Sequence, residues 1–268
     1  MTAGRKPSRW ALGAASVLAL ALGGYAAFRA LTQESSTPAS VAQAIARLRV
    51  LPPAARSLPP VLRGHAPQPG VYVYATDGFE VSHALGTRRH AYPPHTTMTV
   101  SSTSSGCLQI RWDVLTTRAD ELLACAQRDG GWRLLDQGES HAFAGHLDRR
   151  TYGCTPGSTY LPARLTPGAT WTSSCAIAGT TTIDRGTVLG ARTLTLEGTP
   201  ARTVLIRTIT RVIGETVGAG TTFTWLEPAT KLIVRRVLAN ASATATIIGS
   251  VPYTERATLM LESPRPRR

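Results

Sequence analysis

The part of the chain that follows Gly70 consists of short runs rich in threonine and valine, separated by glycine, proline and Asp-Gly. No segment there repeats apolar residues with the period of a long helix. Branched and aromatic residues favour strands, and regularly spaced turn residues end them. The pattern predicts an all-β domain over residues 70–264, a curved antiparallel sheet of half-barrel or sandwich type. Asp77-Gly78 predicts a tight hairpin turn within it.

The clearest strand is the segment 108–115, LQIRWDVL, in which apolar and polar residues alternate. Such alternation buries one face of a strand and leaves the other in water. A hairpin with the following DELLACA segment places Cys107 opposite Cys125 and Ile110 opposite Leu122. The pairing register therefore predicts a Cys107–Cys125 disulfide.

The chain has four cysteines, and the remaining two, Cys154 and Cys175, are predicted to form a second disulfide. Four cysteines admit three connectivities, and an even number in an exported chain is typical of a disulfide framework. Zinc is the competing use of four cysteines. The cysteines here lack the C-x-x-C spacing typical of zinc sites, so two disulfides are favoured and no metal site is expected.

An uncharged run, Trp10–Phe28, lies near the amino terminus and follows three basic residues. As a helix it is long enough to cross a hydrocarbon core of about 30 Å, and the preceding charges keep that end in the cytoplasm. A cleaved signal peptide has the same layout, with Gly24 and Ala26 as a cleavage site. Residues 1–31 are therefore interpreted as a basic end with a membrane anchor or signal peptide. The rest of the chain is expected outside the cytoplasm, either as a single-pass membrane protein or, after cleavage, secreted.

Residues 32–69 are rich in serine, threonine, alanine and proline and are interpreted as a tether with a short helix. Ser40 and Gln43 have the spacing of a capping box, and Pro52-Pro53 would end the helix. Residues 265–268 form a basic tail.

Arginine and lysine number 29 against 16 acidic residues, a net charge of +13, and only two of the basic residues are lysines. Nucleic acid is not the expected partner, because an exported chain meets little of it and no binding motif is present. A positive field outside a membrane suits lipid headgroups or anionic envelope polymers. An arginine-rich composition without any partner is the alternative.

Two segments resemble exported bacterial half-barrel domains, a group that includes lipoprotein-carrier-like proteins and mycobacterial glycolipid-binding lipoproteins. They are PGATW followed by Cys175, and WLEPATKL leading to Arg235, and the resemblance covers residues 168–261. In these families a curved sheet cups an acyl chain without catalytic residues. The resemblance implies a lining for such a ligand, for which the candidate residues are Trp171, Trp225, Leu194, Leu196 and Ile206. Lys231 stands where the family pattern has glycine.

No catalytic constellation is found. The chain lacks a G-x-S-x-G elbow, a phosphate-binding loop and a dinucleotide fingerprint, so no cofactor is expected. The spacing of its six histidines matches no standard ligand pattern. The neighbouring pairs Asp120 and Glu121, and Asp136 and Glu139, are interpreted as turn and surface residues.

The leading hypothesis is an extracytoplasmic, membrane-tethered binding module, not an enzyme, for an apolar ligand (a lipid or lipoprotein) or an envelope partner. The alternative is a basic structural or interaction protein of the envelope without a ligand pocket. A third hypothesis is an uncharacterised hydrolase whose site is assembled from distant residues. A hollow apolar interior would favour carriage of a ligand, and a filled one would favour an interaction protein.

Overall fold

The computed structural model describes residues 37–83, 86–103, 105–116, 118–143, 146–246 and 249–268. The predicted anchor or signal, Trp10–Phe28, lies outside these ranges. Among the helices within them, none is both long and apolar enough to cross a membrane.

One α-helix and two short 3₁₀ helices precede a series of strands. The helix is α1 (Val41–Val50), and the 3₁₀ helices are Pro53–Arg56 and Pro60–Leu62. The strands are β1 (Gly70–Ser82), β2 (Arg88–Ala91), β3 (His95–Ser102), β4 (Cys107–Leu115), β5 (Arg118–Ala126), β6 (Trp132–Phe143), β7 (His146–Cys154), β8 (Thr159–Leu161), β9 (Thr170–Ile177), β10 (Thr180–Leu196), β11 (Thr199–Gly214), β12 (Thr216–Leu226), β13 (Ile233–Thr246) and β14 (Gly249–Leu261).

Twelve of these strands form one closed antiparallel barrel. Their order is β1-β3-β4-β5-β6-β7-β9-β10-β11-β12-β13-β14, and β2 and β8 pair outside the ring with β1 and β6. Closure occurs where β14 pairs with β1, from Tyr74 opposite Leu261 to Ser82 opposite Tyr253. The expected all-β class is confirmed, but the half-barrel or sandwich prediction is wrong. The seam satisfies the two strand edges that an open sheet would leave unpaired.

The hairpin predicted at Asp77-Gly78 is wrong, because β1 runs straight through both residues. Gly78 serves close packing instead of a turn. A Cβ atom added there would lie 2.6 Å from the carbonyl oxygen of Arg256 and 2.8 Å from the ring of Tyr92. The strand continues here because it pairs with β14 and packs against Tyr92. Both contacts are long-range, so a local turn signal cannot predict them.

The β4–β5 hairpin has the predicted register, with Cys107 opposite Cys125 and Ile110 opposite Leu122. Both disulfides are confirmed. The first joins Cys107 to Cys125, and the second joins Cys154 in β7 to Cys175 in β9. The β7–β9 ladder contains only two residue pairs, so the second bridge reinforces the shortest pairing in the ring.

Helix α1 has the predicted capping box. The Ser40 amide donates to the Gln43 side chain at 3.0 Å, and the Gln43 amide donates to the Ser40 hydroxyl at 3.1 Å. Its buried residues Ala44 and Leu48 pack against Val71 of β1. The described part of the predicted tether therefore covers the barrel wall, since its apolar stripe is removed from water there.

The main apolar core occupies one end of the barrel, called here the plugged end. The segment 53–62, which contains both 3₁₀ helices, contributes Leu58 and Leu62 to the same core cluster as the strands. The Ser102 hydroxyl holds this segment, because its oxygen lies 2.8 Å from the carbonyl oxygen of Ala54 and 2.6 Å from that of Ser57, and its one hydrogen can be donated to either. The opposite end, called here the far end, carries the β11–β12 turn at Gly214 and Glu215. Gly214 pairs there with Thr180, the first residue of β10.

The turn between β12 and β13 contains Lys231, which stands where the half-barrel pattern that this segment resembles has glycine. Lys231 has a φ of 62°, so it adopts the left-handed conformation although it is not glycine. The Glu227 carboxylate stabilises the turn by accepting from the Ala229 amide at 3.0 Å and from the Thr230 hydroxyl at 2.6 Å.

Candidate functional site

Because side chains alternate along a strand, each strand contributes one row to an inner wall and one to an outer wall. The members of the main core identify the inner rows. Fully buried inner residues include Tyr72, Tyr74, Trp112, Leu259 and Leu261. These large side chains fill the plugged half of the barrel.

Above the apolar core, a polar network crosses the barrel around Arg118 of β5, which is 5% exposed. Its Nη2 lies 3.6 Å from Glu255 Oε1, and its Nε lies 3.7 Å from Glu80 Oε2. Nη1 also contacts Asp120. One guanidinium thus links carboxylates from β1, β5 and β14, which compensates charges that would be costly to bury alone.

Neutral donors complete the network. The Tyr92 hydroxyl donates to Glu255 Oε1 at 2.5 Å, and the Tyr253 hydroxyl donates to Glu80 Oε2 at 2.9 Å. The Asn240 amide donates to Glu255 Oε2 at 3.1 Å. Glu255 therefore accepts from two of these neutral donors and Glu80 from one, in addition to the ion pairs of both with Arg118.

Electrostatics keep these groups in fixed protonation states. Burial raises the pKa of Tyr92, and the neighbouring Glu255 raises it further. The pKa of Tyr253 is also raised well above its ordinary value, by burial and then by Glu255. Burial opposes the charge of Arg118, but the surrounding anions, first Asp120, outweigh it, so the pKa of Arg118 rises. Both phenols remain donors and the guanidinium remains charged, a state that suits structural support better than proton transfer.

A second polar contact lies on the inner wall between β6, β10 and β11. Asp184 accepts from the Thr210 hydroxyl at 2.6 Å and from the Gln137 amide at 3.0 Å. Like Glu255, this carboxylate faces inward and has hydrogen-bond donors.

A narrow apolar crevice remains beside the core at the plugged end. Its volume is about 10 Å³, which is room for about one water molecule. It is lined by Pro67, Leu108, Ile110, Ala124, Trp132, Tyr160, Leu161 and Lys231. Ligand pockets are typically about 300–1,000 Å³, so this crevice is far too small for an acyl chain.

The residues predicted to line a ligand site do not form one surface. Ile206 is buried in the main core, and Trp171 and Leu196 pack against that core from half-buried positions. The Trp171 ring occupies the space where Gly186 lacks a Cβ. Trp225 lies on the outer wall, with the Arg235 guanidinium 4.9 Å from its ring centre. Leu194 is half-buried near the β10–β11 hairpin.

The acidic pairs lie in strands, so their interpretation as turn residues is wrong. Asp120 faces inward to Arg118, whereas Glu121 faces outward to Arg111. Within the described ranges, no group of three or more histidine, cysteine or acidic residues could hold a metal ion.

Sequence reasoning missed Glu80, Tyr92, Arg118 and Glu255 as a group. A local signal was present for one of them. Glu255 alternates in step with Ala257, Leu259 and Leu261, which places a carboxylate on the apolar face of its strand. A charged residue in such a row requires a buried partner, although the pattern does not reveal which one.

The outer wall of β10–β14 has the opposite chemistry. Alternation and the strand registers place six arginines on it: Arg185, Arg192, Arg207, Arg211, Arg235 and Arg256. In the described parts of β11–β14, no outward position holds aspartate or glutamate. Both acidic residues of these strands therefore face inward, whereas six of their eight arginines face outward. The two inward arginines are Arg202 and Arg236, and the Arg236 guanidinium lies 5.9 Å from the ring centre of Trp112.

No protein-family model and no curated protein matches the chain. Solved structures align with it, and two of them are described as lipoproteins. The hypothetical lipoprotein YmcC from Escherichia coli K12 is 13% identical with a TM-score of 0.31, and the alignment covers 73% of this chain and 86% of that one. A candidate lipoprotein from Parabacteroides distasonis is 8% identical with a TM-score of 0.29, over 74% of this chain and 96% of the other. At such low scores, neither alignment carries a conclusion about this chain.

Proposed function

We propose that the chain is a rigid, non-catalytic interaction module of the cell envelope that binds an anionic partner through its outer wall. The observation that carries the proposal is the sorting of charge across β10–β14. Inward carboxylates such as Asp184 and Glu255 are hydrogen-bonded, whereas the outward arginines have no acidic neighbours on β11–β14. A cationic outer wall attracts polyanions, and its charges remain available for them.

The filled plugged end supports binding through the surface over carriage inside the barrel. Large side chains such as Trp112 and Tyr74 occupy that end, and the neighbouring crevice has a volume of only about 10 Å³. The alternative hypothesis from the sequence, a basic interaction protein without a ligand pocket, is therefore preferred to the lipid-carrying one.

The test is binding of the full chain to polyphosphate, a soluble polyanion, with neutral dextran as a control. We expect polyphosphate to bind and dextran not to bind. Affinity should fall as the ionic strength rises from about 0.01 M to about 0.15 M, because the Debye length shortens from about 30 Å to about 8 Å.

Two triple variants, each of which removes three positive charges, test which arginines bind polyphosphate. Arg185, Arg211 and Arg256 are exposed on the outer wall, and their replacement by glutamine should weaken polyphosphate binding. Replacing the exposed Arg56, Arg128 and Arg164 by glutamine removes the same net charge from positions outside β10–β14. Equal losses in both variants, or binding insensitive to salt, would contradict the proposal.

A further inference from the structure

We infer that the outward face of β10–β12 at the far end of the barrel docks on the surface of an anionic lipid bilayer. This inference rests on the proposed function and names its partner. The surface, called here the far-end patch, consists of Ile183, Arg185, Ile209, Arg211, Ile213 and Val217.

Large aliphatic side chains are exposed on the far-end patch. Ile209, Ile213 and Val217 are 40%, 49% and 54% exposed. In the described chain, the only other large apolar side chains classed as exposed are Val50 and Leu189. Ile213 and Val217 flank the β11–β12 turn, so the exposed apolar area is concentrated at the far end. A concentrated apolar area on a surface marks an interaction site.

Two arginines lie among these aliphatic side chains. Arg211 lies directly opposite Ile183, and Arg185 lies directly opposite Ile209. Both arginines are exposed, and the described residues provide neither with an ion pair. The adjacent Asp184 faces the inner wall, and the side chain of Glu215, in the β11–β12 turn, lies over Gly179.

The presence of both arginines and exposed aliphatic side chains on one face favours a bilayer over a soluble polyanion as the partner. A polymer of phosphates or carboxylates needs only the guanidinium groups and leaves the isoleucines and the valine in water. At a bilayer surface, arginines reach the anionic headgroups while aliphatic side chains enter the headgroup–acyl boundary. The far-end patch offers both kinds of group on one face.

The amino-terminal part of the described chain contacts the barrel at its far end. Thr37, the first described residue, accepts a hydrogen bond at 3.0 Å from the amide of Thr116, in the β4–β5 turn. That turn lies at the same end of the barrel as the β11–β12 turn, because the strands alternate in direction around the ring. Between Phe28, where the predicted membrane run ends, and Thr37 lie eight residues. They span at most about 29 Å, so an anchor would hold the far end near the membrane.

The experiment places a polarity-sensitive fluorophore on the full chain reconstituted in vesicles. All four cysteines are in disulfides, so a thiol-reactive dye attaches only to an introduced cysteine. Val217→Cys labels the far-end patch. Val50→Cys is the control, because Val50 is 83% exposed at the end of α1 nearest the plugged end. The vesicles contain phosphatidylcholine alone or a mixture with phosphatidylglycerol, and lipids brominated on the acyl chain serve as quenchers.

We expect the label at position 217 to shift to the blue and to be quenched only when phosphatidylglycerol is present. The label at position 50 should not respond. In the Val217→Cys background, Arg185→Gln with Arg211→Gln should lower the docking equilibrium constant by about 25-fold, since each arginine near an anionic surface contributes about 1 kcal/mol. Arg192→Gln with Arg202→Gln removes the same charge away from the patch and should leave docking unchanged.

Ile213→Ser separates the bilayer from a polymer. It should weaken docking on phosphatidylglycerol vesicles at least threefold, with polyphosphate binding unchanged. The inference is overturned if the label at 217 responds equally in both lipid mixtures, or if both labels respond alike. If polyphosphate binds while the label at 217 does not contact phosphatidylglycerol, the inference fails and the proposed function stands. If neither polyphosphate nor anionic vesicles bind, both fail.

Discussion

The two walls of strands β10–β14 treat charge in different ways. Inside, Glu255 is 2% exposed and lies beside Arg118, Tyr92 and Asn240. Outside, Arg211 and Arg256 point into water. A buried charge needs partners, and supplying them commits it to one structure, whereas an exposed charge contributes little to folding and can engage a ligand. The comparison indicates that the inner wall determines stability and the outer wall determines binding.

The largest expected effect tests the apolar part of the inner wall. Trp112→Ala should lower the free energy of unfolding by about 5 kcal/mol, because truncating a buried aromatic side chain leaves a cavity. It also removes the hydrogen bond from the indole to Thr96 at 3.0 Å and the edge contact with Tyr92. Trp225→Ala on the outer wall is the control and should cost less than half as much. Equal losses in urea denaturation would mean that the two walls do not differ.

The polar part of the inner wall should show the next largest effect. Arg118→Met should cost about 3 kcal/mol, because it leaves Glu80 and Glu255 buried without their cation. Adding Glu80→Gln and Glu255→Gln to that variant should recover part of the loss. If the single variant unfolds at the same urea concentration as the parent, Arg118 is not the group that balances these carboxylates.

A pH dependence follows from the phenols of the network. The pKa values of Tyr92 and Tyr253 are raised in the folded barrel, by burial and by Glu255. In the unfolded chain both phenols ionise near pH 10, so the stability they confer is present below that pH and is lost as the pH rises above it. Each contributes a decline of up to about 1.4 kcal/mol per pH unit.

Tyr92→Phe removes one ionisable phenol and should make this alkaline decline shallower by up to about 1.4 kcal/mol per pH unit. Urea denaturation of parent and variant at pH 9, 10 and 11 measures the slopes. The same slope in both proteins would show that Tyr92 ionises normally in the folded state.

The smallest effect is expected on the outer wall. Arg211→Gln should change the free energy of unfolding by less than about 0.5 kcal/mol, as is usual for exposed side chains without specific contacts. Thermal denaturation of the Arg211→Gln and Arg118→Met variants, measured together, compares the two losses of stability directly. A loss comparable to that of Arg118→Met would show that Arg211 supports the fold and would weaken its assignment to binding.

Sequence reasoning succeeded where structure is local. The β4–β5 hairpin register and its disulfide follow from alternation around one turn, and the α1 capping box needs only Ser40 and Gln43. It failed at Asp77-Gly78, where a local turn signal competed with long-range pairing to β14. Barrel closure could not be predicted, because the number of strands and their stagger depend on all pairings together.

The candidate site was the hardest part to predict. Tyr253 and Glu80 are 173 positions apart in the chain, and no local period relates them. Of the five predicted lining residues, Trp225 lies on the outer wall, because alternation alone does not tell which face of a strand turns inward. The positive charge of the chain, in contrast, predicted an anionic partner, and this expectation carries over unchanged into the proposal.

The seam between β1 and β14 joins the first long strand of the barrel to the last. Until the carboxyl-terminal strand has emerged, β1 has no partner for residues 74–82 on that edge, and the ring cannot close. An exported chain of this design would cross the membrane unfolded and complete its barrel only after its last segment arrives. Loss of β14 would expose two sheet edges at once, so completion of this last strand controls assembly, and its absence would favour aggregation.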